Sequence, residues 1–294
     1  MVRRADRRLL PGFGLSLGIT VFFLTLMVVL PLAALTVTAT GLGWEGFWAR
    51  VVSPPAVASY RLTVLSSLIA AGLNAVFGFI AAWTLIRYRF PGRRIIDAAI
   101  DLPFAVPGAV GGIAIAAMVS RNGVVGRFLV PLGIEIAYTA TAVPFALMFA
   151  GLPFVVRAVQ PVLENLDPST EEAAGMLGAN RVQTFFRVVF PAALPALGGG
   201  FIMSFIRGLG EFGTVIFVSG NIPFRSEVTT QVIFSRIDQY DREGAAAIAL
   251  VVLMCTLLVS VVAGAVGPVR TRLLQRSSMR RSRYASSSPY LRAE

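Results

Sequence analysis

Long apolar runs constrain this chain more than any other feature of its sequence. A helix rises 1.5 Å per residue, so about 20 apolar residues are needed to cross a hydrocarbon layer roughly 30 Å thick. Inside lipid no water is present to bond the backbone, and a helix satisfies its own amides and carbonyls. The sequence therefore predicts an all-α, polytopic membrane protein with about six transmembrane helices, at residues 15–39, 63–86, 98–119, 136–156, 192–218 and 245–267.

The two ends of the chain are polar and lie outside this predicted membrane domain. The apolar run that follows the Arg-rich residues 1–14 is too long for the core of a signal peptide, so we expect an uncleaved first span. Residues 268–294 are rich in Arg and Ser and are expected to form a disordered tail. Residues 41–60 are expected to be a loop. The predicted organisation is an N-terminal segment (1–14), one transmembrane domain (15–267) and a tail (268–294).

The composition excludes several classes of site. All 26 basic residues are Arg, so the Lys of a phosphate-binding P-loop is missing. The chain has no His, which removes imidazole chemistry, and its single Cys255 cannot form an intrachain disulfide. We therefore expect no catalytic residues, no metal site and no cofactor in this chain.

The longest polar interruption between apolar runs, residues 163–197, begins with the residues that start helices. Asp167 or Ser169 can cap an N-terminus, and Pro168 suits a first turn. Ser169-x-x-Glu172 also fits a capping box, in which two side chains bond each other's backbone amides. A short helix is therefore predicted directly after Asp167.

The same interruption continues with a stop signal and a second short helix. Gly178 can adopt the left-handed conformation that ends a helix. A second helix is expected at about residues 181–190. Pro191 and Pro195 are expected to mark its exit, because proline lacks the amide that continues a helix.

The spacing within this interruption resembles the signature of permeases of ATP-binding-cassette importers. E-A-A at 172–174 is followed in register by Gly178 and by V-V-F-P at 188–191, where I-x-L-P is usual. The resemblance implies that residues 163–191 form a cytoplasmic coupling segment that docks on a separate ATPase, which would bind ATP and Mg. The implied coupling residues are Glu171, Glu172, Ala173, Ala174, Gly178 and Pro191.

The distribution of Arg supports the orientation that this resemblance implies. Six spans place both ends on one side, which is the cytoplasm if the coupling segment is cytoplasmic. The segments on that side then carry 18 Arg, and the three loops on the other side carry seven. This is the positive-inside bias of a multi-pass inner-membrane protein. The pI of about 11.2 then reflects topology and contact with anionic lipid rather than nucleic-acid binding.

Two ionisable residues fall within the fifth predicted span. Arg207 and Glu211 are four residues apart and so share a helix face. Charges at membrane depth are costly and commonly line a transport path. The alternative is that the pair neutralises itself and serves only to fix helix packing. Asp101, near the start of the third span, is a further candidate. Pro107 is another, because it breaks that span before the close-packing pattern G-x-x-x-G at 108–112.

A second resemblance concerns most of residues 60–267. R-G-L-G-E-F-G-T-V-I-F-V-S-G-N-I-P at 207–223, L-P-F-A-V-P-G-A-V-G-G at 102–112 and G-L-P-F-V-V-R-A-V-Q-P-V-L-E at 151–164 are similar to runs in sulfate/thiosulfate and molybdate permeases. S-E-V-T-T-Q-V-I at 226–233 resembles the sulfate type. The chain is thereby identified as a permease subunit that moves sulfate or thiosulfate by alternating access.

The resemblance also implies partners for this permease. They are a cytoplasmic ATPase dimer, a second homologous permease, an extracytoplasmic sulfate-binding protein and membrane lipid, with no nucleic acid. A molybdate or tungstate permease of the same class is the alternative. A self-contained secondary anion transporter and a structural membrane protein are rivals from other classes. The first would not need a docking segment, and the second would not need charges at membrane depth.

Overall fold

The computed structural model describes the backbone of residues 13–286 and the side chains of residues 13–264. Helices and connecting turns make up these residues. The longer helices are α1 (Phe13–Thr40), α2 (Gly43–Val51), α3 (Pro54–Arg87), α4 (Arg93–Ile100), α5 (Gly108–Val119), α6 (Ala142–Glu164), α7 (Pro168–Met176), α8 (Arg181–Leu209), α9 (Thr229–Asp238) and α10 (Arg242–Ser286). The all-α prediction is confirmed.

Five of these helices are long and apolar enough, by length and composition, to cross a membrane: α1, α3, α6, α8 and α10. The shorter apolar helix α5 adds 12 residues. The chain divides into two compact units. The first contains residues up to Ser53 with Ile233–Val251, and the second contains Pro54–Val232 with the residues from Val252 onward.

The first unit packs the end of α1 and α2 against the start of α10. Its buried core contains Ala39, Val51, Ala246 and Ala247. The most apolar stretch of α1 has no residue buried within the described part of the chain. The expectation of a loop at 41–60 is wrong, because the aromatic residues there are spaced three and four apart and pack edge to face within α2. Trp44 meets Trp48 with ring centroids 5.7 Å apart.

The second unit is built on three long helices, α3, α6 and α8, which pack closely along α6. Glycines permit the close approach: a Cβ at Gly78 would lie 2.9 Å from the Val155 side chain, and one at Gly200 would lie 2.8 Å from the Val155 Cα. Small residues at such contacts let membrane helices associate through van der Waals packing. Gly151 of α6 similarly leaves room for the Asn74 and Ser204 side chains, which bond each other at 3.1 Å.

The third predicted span is not one helix. The structure divides it into α4, a single turn at Leu102–Ala105 and α5. Val106 and Pro107 between the last two pieces are extended, with ψ of 130° and 134°. Proline fixes its own φ, removes a donor and disfavours helix in the residue before it, which explains the break.

The fifth predicted span is shorter than the sequence indicated. We expected helix to Val218, but α8 ends at Leu209 and the chain continues in turns as far as α9. Glycines at 208, 210 and 213 weaken helix propensity at this point. Helix α9 follows these turns and contains most of the V-T-T-Q-V-I-F-S-R-I segment. The tail, expected to be disordered, continues α10 as helix to Ser286, and residues 287–294 lie outside the described residues.

Candidate functional site

Helix α7 is held at its N-terminus by Asp167. The Asp167 carboxylate accepts a hydrogen bond of 2.9 Å from the Ser169 amide, and Pro168 fills the first turn. Of the two caps expected from the sequence, Asp167 is the one formed, so the capping box through Ser169 and Glu172 is absent. The hydrogen bonds from Ser169, the backbone amide first, lower the pKa of Asp167.

The C-terminus of α7 closes on Gly178, as predicted. Gly178 has φ of +83°, which side chains with a Cβ rarely adopt. Its amide bonds the Gly175 carbonyl at 2.9 Å, and the Ala179 amide bonds the Ala174 carbonyl at 3.0 Å. These two bonds form a Schellman motif, which satisfies carbonyls that would otherwise be free at the helix end.

The tip of α7 presents apolar surface. Met176 is 84% exposed and Leu177 is 89% exposed, the highest values among the large apolar side chains near this segment. Glu172 and Ala173 are exposed on the same short helix, and Ala174 is partly buried. A capped, rigid helix that ends in two exposed apolar side chains is suited to contact another protein.

Two contacts join this segment to the end of α3. Glu171 of α7 forms an ion pair with Arg87, whose guanidinium also lies 5.3 Å from the centre of the Trp83 ring. Phe185 of α8 packs edge-on against Trp83 and Phe79, with centroids 5.2 and 5.8 Å apart. The short helix and the start of α8 are thus both fixed to the same long helix.

The second expected helix starts where predicted but does not end there. Asn180 and Gln183 form a reciprocal capping box at its start. The helix then continues through Pro191 and Pro195 to Leu209, so the expected exit at Pro191 is wrong. A π turn at Phe185–Val189 ends two residues before Pro191, and the changed hydrogen-bond register there lets the helix continue past the missing proline amide.

Arg157 of α6 joins three helical pieces near the coupling segment. Its guanidinium donates to Asp101 (Nε to Oδ1, 3.0 Å), to Asp97 (Nη1 to Oδ1, 2.7 Å) and to Gln160 (Nη1 to Oε1, 2.6 Å). Asp97 lies on α4, and Asp101 lies at the turn after it. The structure therefore places the predicted candidate Asp101 with Arg157 rather than with Arg207 and Glu211.

Arg207 and Glu211 form the ion pair that their spacing suggested, with Nη1 and Oε2 2.5 Å apart. Arg207 is in the last turn of α8, whereas Glu211 lies beyond the helix end. The Glu211 side chain is 4% exposed. Its Oε1 accepts hydrogen bonds from the Thr214 hydroxyl and, at 3.1 Å, from the Thr214 amide. Oε1 of this buried carboxylate is thus hydrogen-bonded, whereas Oε2 meets Arg207 as a charge contact without a hydrogen bond.

The segment that carries Glu211 packs against the N-terminus of α5. Pro107 is the residue before that helix begins. A Cβ at Gly108 would lie 3.3 Å from Glu211 Oε1, and one at Gly112 would overlap the Thr214 carbonyl. The close-packing role predicted for G-x-x-x-G is confirmed, and its partner is backbone rather than another helix. The break at Pro107 thus brings the start of α5 next to the Glu211 carboxylate.

Sequence reasoning did not single out Arg87, Arg157 or Thr214. Arg157 was assigned to a loop because the fourth span was expected to end at Val156, whereas α6 runs to Glu164. The apolar residues on both sides of Arg157 were a usable signal, since an ionised residue within a span is a candidate functional residue. Thr214 gave no such signal. Within the residues that the structure describes, no group of three or more potential ligands could hold a metal ion.

Comparison with known proteins fits this architecture. The family model described as "Binding-protein-dependent transport system inner membrane component" matches residues 74–272. The chain belongs to this family. It is accordingly a membrane component of a transport system rather than an enzyme. The matched region contains the ion pairs of Arg87, Arg157 and Arg207 described above and the whole of residues 163–191.

Individual relatives and solved structures agree with the family. The sulfate transport system permease protein CysT of Salmonella typhimurium is 48% identical over 258 residues, which are 88% of this chain and 93% of the relative. CysT of Synechocystis sp. is 43% identical over 240 residues, or 82% and 84% of the two chains. A bacterial transporter that imports alginate matches with a TM-score of 0.67 over 87% of this chain and 94% of its own, at 16% identity. This last likeness concerns the fold alone.

Proposed function

We propose that this chain is the membrane-spanning permease subunit of an ATP-driven importer that moves sulfate, and thiosulfate with it, by alternating access. The proposed substrate rests on the identity to sulfate permeases over most of both chains. The lack of Lys, and with it of a P-loop, assigns ATP hydrolysis to a separate subunit. The proposed partners are an ATPase dimer, a second homologous permease and an external sulfate-binding protein.

The observation that carries this proposal is the exposed apolar tip of α7. Met176 and Leu177 cost free energy in water unless a partner covers them, and α7 is capped at both ends and so keeps its shape on contact. The ion pair between Glu171 and Arg87 connects the docked tip to a long helix of the bundle. Movement of the ATPase would therefore reach the membrane helices through α7.

The proposed orientation places α7 and both chain ends in the cytoplasm of a prokaryotic inner membrane. The excess of Arg on that side supports this orientation. Arg207 and Glu211 then lie at the opposite end of α8 from the coupling segment, and they are proposed to line the path with Pro107. Asp101, bound to Arg157, is proposed to act at the inner end, where it ties α4 to α6.

Reconstitution tests the proposal directly. The chain would be assembled with the second permease, the ATPase and the binding protein in vesicles, and radioactive sulfate uptake would be followed. We expect uptake to require ATP and all four proteins, and excess thiosulfate to compete more strongly than molybdate. Uptake by this chain without the ATPase would instead identify a secondary transporter. Stronger competition by molybdate would assign the other oxyanion.

A further inference from the structure

Arg207 is a half-exposed guanidinium at the end of a long apolar helix. Its side chain is 42% exposed, whereas that of Glu211 is 4% exposed. A guanidinium that faces hydrocarbon is costly, so such groups face water or other polar groups. The exposed part of Arg207 therefore faces a polar region, and the Glu211 carboxylate lies on its buried side.

Glu211 is held in place from three directions. Thr214 donates its amide and its hydroxyl to Oε1 of the carboxylate. The Thr230 hydroxyl of α9 donates to the Glu211 backbone carbonyl at 2.9 Å. Gly108 at the start of α5 leaves the space that the carboxylate occupies. A carboxylate fixed in this way also fixes the guanidinium that is bound to it.

The ion pair leaves most donors of Arg207 free. One Nη atom meets Glu211, and among residues 13–264 no other acceptor contacts the guanidinium. A guanidinium carries five N–H donors in a rigid plane, and its unoccupied edge can bind two oxygens of one anion. Lys offers the same charge without this fork. The arrangement is therefore suited to a tetrahedral oxyanion.

We propose that Arg207 presents the free edge of its guanidinium to the transported oxyanion. Thr214 fixes the Glu211 carboxylate, and Glu211 in turn fixes the guanidinium. The site lies at the end of α8 farthest from the coupling segment, about 39 Å along the helix from Arg181. Arg207 contacts the anion, and Glu211 and Thr214 are positioning residues. The Glu211 charge also offsets that of Arg207, so that the anion is held only briefly, as transit requires. This inference rests on the proposed function.

The test uses the complete importer in vesicles and measures initial sulfate uptake per assembled transporter. Thr214→Val removes the hydroxyl but keeps the size of the side chain, and Thr214→Ser keeps the hydroxyl. We expect uptake to fall about tenfold in Thr214→Val and to stay near wild type in Thr214→Ser, because one hydrogen bond to a charged group is lost only in the first. Thr256→Val is the control: the partly buried Thr256 hydroxyl of α10 also makes a hydrogen bond, 2.6 Å to the Val252 carbonyl, but does not bond the residues that hold Glu211.

The combined effect of Thr214→Val and Arg207→Lys on uptake tests whether Thr214 acts through Arg207. Arg207→Lys keeps the charge without the fork, and adding Thr214→Val to it should lower uptake by less than twofold, because both changes act on the same guanidinium edge. Thr256→Val should leave the uptake ratio of these variants unchanged. Additive losses for Thr214→Val and Arg207→Lys would overturn the proposal, as would wild-type uptake in Thr214→Val.

The Arg207→Gln/Glu211→Gln double variant separates a packing role from the proposed one. If the pair only packs, Arg207→Gln strands the buried Glu211 carboxylate, and the double change restores both protein level and uptake. That outcome would overturn the inference. If Thr214→Val fails to assemble, Glu211→Asp carries the test, since it keeps the charge but withdraws it by one methylene. Wild-type vesicles that take up no sulfate would contradict the proposed function itself, whereas wild-type uptake with unaffected variants would contradict only this site.

Discussion

Arg87 at the end of α3 and Glu171 in the first turn of α7 form an ion pair across 84 residues of sequence. Both side chains are largely shielded, with 23% and 28% of their surface exposed. The pair distinguishes two adjacent acids of the coupling segment. Glu171 holds α7 to the end of α3, while Glu172 is exposed and remains available for the proposed docking contact.

Reversing one charge of this pair should uncouple the transporter. We expect Arg87→Glu and Glu171→Arg each to reduce sulfate-stimulated ATP hydrolysis at least fivefold, because like charges or an unpaired charge replace an interaction of roughly 1 kcal/mol. The double exchange should restore at least half of the activity. Arg89→Glu is the control, since Arg89 carries the same charge on an exposed side chain two residues later. Equal effects at both positions would argue against the pair.

Gly178 and Gly175 allow a matched comparison within α7. Gly178→Ala forces a Cβ into a left-handed position and should cost about 1 kcal/mol. Gly175→Ala adds the same methyl group in open space at a helical position and should be neutral or stabilising. Only Gly178→Ala, and more strongly Gly178→Asp, should lower sulfate-stimulated ATP hydrolysis at unchanged membrane level. Normal uptake in Gly178→Asp would contradict a coupling role for this turn.

Arg157 is expected to stabilise the folded protein. Arg157→Gln leaves Asp97 and Asp101 without their cation, and both are partly exposed, so we expect a loss of about 1–2 kcal/mol. Arg157→Lys should recover only part of it, because Lys cannot bind both carboxylates with a fork. The thermal midpoint in detergent measures the effect, with the exposed Arg61→Gln as control. An unchanged midpoint in Arg157→Gln would contradict a holding role.

The Asp167 cap predicts a pH dependence of α7. Hydrogen bonds in the folded state lower the pKa of Asp167 below its ordinary value of 3.8, so the cap stabilises the helix above about pH 4. This stabilisation is lost as the pH falls through the lowered pKa. Hydrogen exchange of the amides of residues 169–172, corrected for intrinsic rates, should rise in that range. In Asp167→Asn, which caps without titrating, it should not. Identical pH profiles would exclude Asp167 as the cause.

Labelling of single cysteines tests the proposed orientation. In a Cys255→Ala background, Asn122→Cys should react with an impermeant maleimide in intact cells, and Thr170→Cys should react only after the membrane is opened. Both native side chains are exposed. The opposite pattern would reverse the orientation and place α7 away from any cytoplasmic ATPase.

The sequence predicted those features that depend on neighbouring residues. Span-length apolar runs, the cap at Asp167 or Ser169 and the left-handed turn at Gly178 are set by local chemistry. It did not predict the acidic partners of Arg87 and Arg157, which are 84 and 56–60 residues away in the chain and meet only through helix packing. It also wrongly predicted that the helix would end at Pro191, because the π turn before this proline lets the helix continue without the proline amide.

The length of α8 was misjudged for a related reason. Apolarity continues beyond Leu209 through Val218, so the composition of the run indicated more helix than forms. The backbone turns there because Thr214, Glu211 and the start of α5 bond and pack with one another. Tertiary contact of this kind overrides the local pattern.

The glycine contacts along α6 have a mechanical meaning. Where Gly78 and Gly200 meet Val155, the helices are too close to admit an added methyl group. Close packing of this kind leaves little room for side chains to rearrange when one helix moves. If the coupling segment displaced α3, we expect α6 and α8 to move with it. Arg207 stands at the far end of α8, so in the proposed importer we expect the three helices to move as one rigid body that carries a displacement at the ATPase to the site of the anion.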